Sequence, residues 1–348
     1  MAAIKALTVD VGTGTQDILL YESNKNIRNC LKMILPSPTL IVAEKIKEMT
    51  ERQKNILLTG YTMGGGPSTF AIRKHLERGL KVTSLPEPAL TINDDIRKVE
   101  EMGVEISNNP EREGLVEVEL RDVFMREFHS FFGSIGIEVP DKVFLAVQDH
   151  GFSPDMSNRR FRFRVFEKTL RGGNLYSFFY HEDEVPEHFN RMKSALKSIK
   201  DFSDGKGLKI ESYVIDTVFA ALIGAMTDLK RFPAFIVNFG NSHTIGAVVD
   251  EDGSVFSLFE HHTSIMRRKG SEGVKKFLES FIHGKIDNEQ VFGEGGHGAF
   301  VKEVVEVRDF VATGPNAELS PYRTANPAGD TMITGNVGMI HAYLQRNG

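Results

Sequence analysis

Two short glycine-containing turns, each joining two β-rich stretches, constrain this chain more than any other feature. The first lies in Leu7–Leu20, centred on Asp10-Val-Gly-Thr-Gly-Thr15. The second lies in Phe235–Asp250, centred on Asn238-Phe-Gly-Asn-Ser-His-Thr244. Glycine lets the backbone approach a ligand, and the bared amides, with the Thr13 and Thr15 hydroxyls, can donate to phosphate oxygens. Asp10, at a strand end, can hold a hydrated Mg²⁺. Glycine also dominates ordinary tight turns, so either hairpin alone says little. The pair, one near the start and one two-thirds along, predicts two similar half-domains clamping a phosphate chain between them.

Length and composition agree. The 348 residues suit two domains, and 41% hydrophobic with 26% charged residues is a globular balance. A net charge of −5 gives no reason to expect nucleic acid or an anionic membrane as partner. No apolar run reaches the roughly 18 residues of a membrane span, and the start does not read as a signal peptide, so a cytoplasmic location is expected. Cys30 is the single cysteine, which excludes an internal disulfide or an all-cysteine metal cluster within these residues.

Hydrophobic periodicity places strands at 4–12, 15–22 and 29–35, a helix at 39–52, a strand at 55–62 ending in Gly64-Gly-Gly66, and a helix at 68–78. Shorter elements follow at 81–85, 94–102, 115–120 and 121–132, then an apolar strand at 142–148. The first 150 residues thus predict one mixed sheet with helices packed on it. Residues 153–205 read as helical and 213–226 as an apolar helix. The opening pattern then recurs, with strands at 234–239, 244–249 and 254–259, a helix at 270–282, a strand at 309–312 and a closing helix at 331–345.

In this order the pieces resemble the actin/heat-shock-chaperone/sugar-kinase ATPase superfamily. Asp10–Thr15 resembles its first phosphate motif and Asn238–Thr244 its second. Asp216–Gly224 resembles the first connecting helix, Val311–Asn316 the adenosine motif, and Asn326–Gly335 and onward the second connecting helix. The resemblance implies an α/β protein of two domains with duplicated actin-like (ribonuclease H-like) topology: mixed five-stranded sheets flanked by helices, with a nucleotide cleft between them. The domains would span 1–152 and 153–335, with 336–348 a C-terminal helix packing back on the first. ATP and Mg²⁺ would lie in the cleft, the metal on Asp10. The phosphates would meet Gly12, Thr13, Gly14, Thr15, Asn238, Gly240, Asn241, Ser242, His243 and Thr244, and the adenosine Thr313, Gly314 and Asn316. Ala220, Ala221, Gly335 and Gly338 would let the connecting helices cross closely. Asn238 departs from the superfamily's usual acid at that place, and asparagine is a poorer ligand for a hard cation.

Gln148-Asp-His-Gly151 is the candidate for substrate chemistry, with Asp149 as general base and His150 assisting; a turn in which both side chains bond the backbone is the alternative. Arg159, Arg160, Arg162 and Arg164 could bind an anion, although their alternation with Phe161, Phe163 and Val165 also suits a strand with one solvated face. Gly64–Gly66 and Gly293–Gly298 read as mobile loops able to fold over a ligand. His243, His261, His262 and His297 lack recognised metal-ligand spacings, so a protein-only metal site is not expected.

Ala146–Phe152 and Ser157–Phe163 further resemble an uncharacterised prokaryotic family labelled as a pyruvate formate-lyase activating enzyme. That label implies radical chemistry on an iron–sulfur cluster held by three cysteines, which one cysteine cannot supply. The function expected is instead an ATP-dependent phosphotransferase or ATPase acting on an unknown small molecule. The alternatives are a nucleotide-dependent switch that activates a partner protein, or a non-hydrolysing pseudo-enzyme. A homodimer is left open.

Overall fold

A computed structural model describes residues 3–347. The chain opens with the meander β1 (Lys5–Val11), β2 (Thr15–Glu22) and β3 (Leu31–Pro36), followed by α1 (Pro38–Glu51). Ser37 caps α1 by accepting the Leu40 amide, and Pro38 sits in its first turn. Next come β4 (Asn55–Gly60), α2 (Pro67–Glu77), β5 (Val82–Ser84), α3 (Pro86–Ala89), α4 (Ile96–Glu101), β6 (Glu105–Ile106) and β7 (Leu115–Leu120). Then follow α5 (Met125–Ser134), β8 (Lys142–Val147), α6 (Asn158–Gly172), β9 (Tyr180–His181), α7 (Asn190–Lys206), β10 (Glu211–Ile215) and α8 (Thr217–Met226). The second half runs β11 (Ala234–Phe239), β12 (His243–Val249), β13 (Val255–His262), α9 (Thr263–Ile282), α10 (Asn288–Gly293), β14 (Gly298–Val301), β15 (Asp309–Thr313), β16 (Arg323–Thr324) and α11 (Thr334–Asn347).

The two large sheets repeat one plan. The first has the order β3-β2-β1-β8-β10-β9, and the second β14-β13-β12-β11-β15-β16. In each, a hairpin meander is antiparallel and the next two main strands run parallel to its first strand. This is the duplicated ribonuclease H-like topology of actin-like proteins. Each five-stranded core carries one short extra edge strand, β9 or β14.

Four expectations differ from the structure. Residues 55–120 do not join the first sheet; β4–β7 form a separate four-stranded parallel sheet, ordered β6-β5-β4-β7, with its own apolar core around Ile46, Ile56, Leu58, Ile72 and Val118. The division at 152/153 also differs from the sheets. β10 pairs with β8 and β9 with β10, so the chain to about residue 216 builds the first half. The stretch read as a helix from Tyr213 is a strand as far as Ile215, because the helix begins only after Asp216, whose carboxylate caps it at the Val218 amide. Residues 153–205 hold two helices with β9 between them rather than one helical run.

The helices α8 and α11 cross between the halves. Every residue of α8 from Val218 to Met226 is buried. A Cβ on Gly338 would fall on the Ala220 carbonyl oxygen, and one on Gly224 on the Thr334 carbonyl oxygen. The crossing therefore depends on residues without side chains at the contact, as the sequence predicted for Gly338.

Candidate functional site

The cleft lies at the C-terminal ends of β1, β8, β11 and β15, the edge where open α/β sheets bind ligands. Its volume is about 440 Å³, within the roughly 300–1,000 Å³ of small-molecule sites. Both hairpin turns line it. The first closes through the Gly12 amide donating to Thr15 O at 2.9 Å, and the second through the Gly240 amide donating to His243 O at 2.9 Å. Their tips touch, with the Thr13 and Ser242 hydroxyls 2.9 Å apart. A Cβ on Gly14 would lie 2.7 Å from Asn241 Nδ2, so the two turns approach over a glycine.

Asp10, Gly12, Thr13, Thr15, Asn238, Gly240, Asn241, Ser242, His243, Thr313 and Gly314 all line the cleft, as do Asp149 and His150. Gly14, Thr244 and Asn316 do not. Thr244 is buried behind the second turn, its hydroxyl 3.0 Å from that of Thr263. Asn316 is buried too; its amide donates to Gly240 O at 2.9 Å and its oxygen accepts from Arg267. Both residues shape the second hairpin without facing its ligand side. Gly314 needs its glycine, since its φ is +91° and a Cβ would strike Asn238 Oδ1.

The first hairpin carries a carboxylate that motif reading missed. Asp17 on β2 stands directly opposite Asp10 on β1, so both side chains leave the same face. Thr217 donates to Asp10 Oδ1 at 2.7 Å, while Asp17 Oδ1 is buried without a partner among the described residues. Burial pushes Asp10 up to about 7, against the Thr217 hydrogen bond. Burial, with Asp10 alongside, pushes Asp17 up to about 8. A hairpin turn implies this cross-strand pairing, so the signal was available.

Asp149 is positioned by the backbone. Its Oδ1 accepts the Gly151 amide at 2.8 Å and its Oδ2 the Met192 amide at 3.0 Å. Burial raises it to about 6, these amides working the other way. With each oxygen engaged, it acts as a clasp between the β8 loop and α7. His150 is held well below its usual value, by burial and then by the neighbouring Arg162 charge.

The arginine run is helical rather than a strand. It lies on α6, and none of its four members lines the cleft. Arg159 donates to Gly296 O at 2.8 Å, Arg160 pairs with Glu289, and Arg164 is exposed. Arg162 is fully buried. It donates to Asp216 at 2.6 and 3.1 Å, to Glu260 at 2.9–3.1 Å and to Asp149 O at 2.6 Å. Burial opposes its charge, but the two carboxylates hold it on, and it keeps Glu260 ionised in turn. Asp216 caps the hinge helix and Glu260 lies on β13, so Arg162 ties the two halves together.

The cation that does face the cleft is Arg191 on α7. Its guanidinium pairs with Asp122 at 2.7 and 2.9 Å and donates to Gln148 O at 2.7 Å. A Cβ on Gly64 would lie 2.6 Å from its Nη2, and Gly64–Gly66 line the cleft beside it. Arg191 sits mid-helix with no local motif and was not predicted.

His150, His243 and His297 come together, their ligand-capable nitrogens all within 4.8 Å of one another. Burial holds His243 at about 3 and His297 at about 4, so both imidazoles are neutral at physiological pH. The expectation of no protein-only metal cluster considered His243 and His297 but not His150, and the spacing of 150, 243 and 297 carries no recognisable period.

Fold and site define a two-lobed protein of actin-like ATPase architecture. Over residues 63–319 the chain matches the model of the family described as "Putative pyruvate format-lyase activating enzyme (DUF1786)", and it belongs to that family. Among solved structures, it is similar to the ethanolamine utilization protein EutJ from Carboxydothermus hydrogenoformans at 10% identity and a TM-score of 0.33, covering 97% of this chain and 90% of that one. It is also similar to an exopolyphosphatase-like protein at 8% identity and a TM-score of 0.28, covering 90% of this chain and 66% of that one. No curated protein matches significantly. At those scores the likenesses carry no argument; the fold rests on the strand order. Cys30, the single cysteine of these residues, packs against Leu19 and Ile340 away from the cleft, so these residues hold no three-cysteine cluster of the kind that the label was read to imply. Among the described residues no helix is long and apolar enough to cross a membrane.

Proposed function

We propose that the cleft binds ATP with Mg²⁺ and that the protein is an ATPase or phosphotransferase acting on a small molecule. The observation that carries this is the convergence of both glycine hairpins and the Thr313-Gly314 turn on one cavity between two duplicated lobes. The backbone amides of the turns, with Thr13, Thr15 and Ser242, supply donors for phosphate oxygens. Gly314 and Pro315 leave space for an adenosine. Mg²⁺ fits the first hairpin. Asp10 and Asp17 face each other, Asp17 Oδ1 is unsatisfied, and burial without an opposite charge raises the two acids to about 7 and about 8. A hard cation relieves that penalty. When bound, it neutralises charge on the phosphate chain, and the protein's share is positioning and electrostatic stabilisation. Arg191 on α7 faces the cleft, its guanidinium held by Asp122 and Gln148 O, and adds positive potential near an anionic substrate.

The test is thermal melting with MgATP, MgADP and Mg²⁺ alone. Ligand at about 100 times its dissociation constant stabilises by about 2.7 kcal/mol. A shift with MgATP that is lost in Asp10→Asn is the expected result, and no shift with any nucleotide overturns the proposal. Two observations favour a second reading, a nucleotide-dependent switch read by a partner protein. Asn238 removes the acid from the second hairpin, and the Asp149 oxygens are both engaged by amides. Phosphate release distinguishes them. A switch binds MgATP with turnover no faster than its partner exchange, whereas a phosphotransferase turns over once its acceptor is supplied.

A further inference from the structure

We infer that His150, His243 and His297 form a binding site for one divalent transition-metal ion at the floor of the cleft. The three residues come from separate places: the loop after β8, the start of β12, and the turn before β14. Their ring centroids lie 4.8 to 5.7 Å apart. His297 is 1% exposed, and neither of its nitrogens has a hydrogen-bond partner among the described residues; His243 Nε2 has none either. Leaving a buried polar atom unsatisfied is costly, and one metal would satisfy His243 Nε2 together with one nitrogen of His297, with His150 completing the set.

The surroundings fit a cation. Arg162, Asp216 and Glu260 form a buried set with one positive and two negative charges beneath the cluster. The Gln148 side-chain amide lies 2.8 Å from His243 Nδ1. Turned to present its oxygen, it accepts the Nδ1 proton and leaves the Nε2 lone pair for the metal, the usual outer-shell arrangement for a ligating histidine. Metal–nitrogen bonds of about 2.0–2.1 Å put tetrahedral ligands about 3.3 Å apart, so the rings close by up to about 1.5 Å on binding. All-imidazole donors select zinc, cobalt, nickel or ferrous iron over magnesium or calcium. His150 and His243 face the cleft, so the fourth position opens toward the ligand space, as in catalytic three-histidine sites. Water or a substrate oxygen would occupy it. This site is separate from the Asp10–Asp17 pair on the other hairpin, and it does not rest on ATP binding.

The experiment is titration of tag-free, metal-stripped protein with Co²⁺, without nucleotide, read by ligand-field absorption and followed by displacement with Zn²⁺. The expected result is one equivalent of a tetrahedral-type spectrum, abolished by Zn²⁺, with affinity reduced at least 100-fold in His150→Asn and His297→Asn. His297 is buried and its variant could unfold, so circular dichroism accompanies it, and the more accessible His150→Asn carries the test alone if it does. Absence of a stoichiometric wild-type spectrum overturns the inference. So does binding that is indifferent to the histidine variants but lost in Asp10→Asn, which would place the metal on the carboxylates. No nucleotide is present, so failure here leaves the ATP proposal standing, and the converse holds.

Discussion

At the turn of the first hairpin Asp10 faces Asp17 across the strand pair; at the equivalent place in the second, Asn238 faces Ile245. Each first residue also lines up with a parallel neighbour, Asp10 with Ala146 and Asn238 with Thr313. The backbone plan is the same and the chemistry is not. The first hairpin concentrates negative charge. The second has no acid, and its turn instead delivers His243 to the neutral histidine cluster. Duplication thus fixes where two turns meet and leaves the residues on them free to diverge. One lobe suits a hard cation and the other a nitrogen-preferring ion.

The comparison depends on the lobes being held in register, and Arg162 is the main tie. Arg162→Ala leaves Asp216 and Glu260 buried without their counter-ion, a loss worth about 3–5 kcal/mol. Urea denaturation should show it directly. A loss below about 1 kcal/mol would mean the lobes are registered by the hinge alone. Adding Glu260→Gln to the variant should recover part of the loss, because one stranded charge is removed.

Acidity on one hairpin only predicts a pH dependence assigned to that lobe. An acid whose folded pKa is raised keeps a proton that the unfolded chain has released. Its stabilising contribution is therefore complete below about 4 and is lost as pH rises through about 7 for Asp10 and about 8 for Asp17. Stability without Mg²⁺ should fall on the order of 6–7 kcal/mol between pH 5 and 8.5, roughly 3 from Asp10 and roughly 4 from Asp17, since each fully differential proton is worth about 1.4 kcal/mol per pH unit. Asp17→Asn should flatten that slope, and saturating Mg²⁺ should offset it. A slope unchanged in Asp17→Asn would remove this pair as its source.

How much of this was legible in the sequence follows the range over which each signal acts. The hairpins were read correctly because period-two alternation and glycine turns are local. The crossing of α8 and α11 was readable from Gly338, whereas Gly335 makes room for the Asp10 carboxylate and not for α8. Tyr213-Val-Ile215 was misread because an apolar buried strand running into an apolar buried helix shows no change of hydrophobicity; Asp216, the cap between them, was the only marker. Arg162 and Arg191 carry no sequence signal for their different fates, because the carboxylates that pair them lie 54 to 98 residues away in one case and 69 in the other.

The hinge offers the next perturbation. A Cβ at residue 338 would fall on the Ala220 carbonyl oxygen, so Gly338→Ala must part α8 from α11. Overpacking of this kind costs about 1–3 kcal/mol. Because the same crossing sets the distance between the two hairpin turns, MgATP should also bind more weakly to this variant. If stability drops while nucleotide affinity stays constant, the turns are positioned by their own contact at Thr13 and Ser242 rather than by the hinge.

The smallest expected effect tests the asymmetry itself. Asn238→Asp restores an acid to the second hairpin at the position matching Asp10. If the second turn contributes to the metal's surroundings, Mg²⁺ dependence in MgATP binding should strengthen about tenfold, or about 1.4 kcal/mol, and any phosphate release should rise. Weaker MgATP binding would mean the new carboxylate repels the phosphate chain without reaching the cation. The second lobe would then be neutral because it must lie against phosphates, and its loss of the acid would be part of how the cleft works.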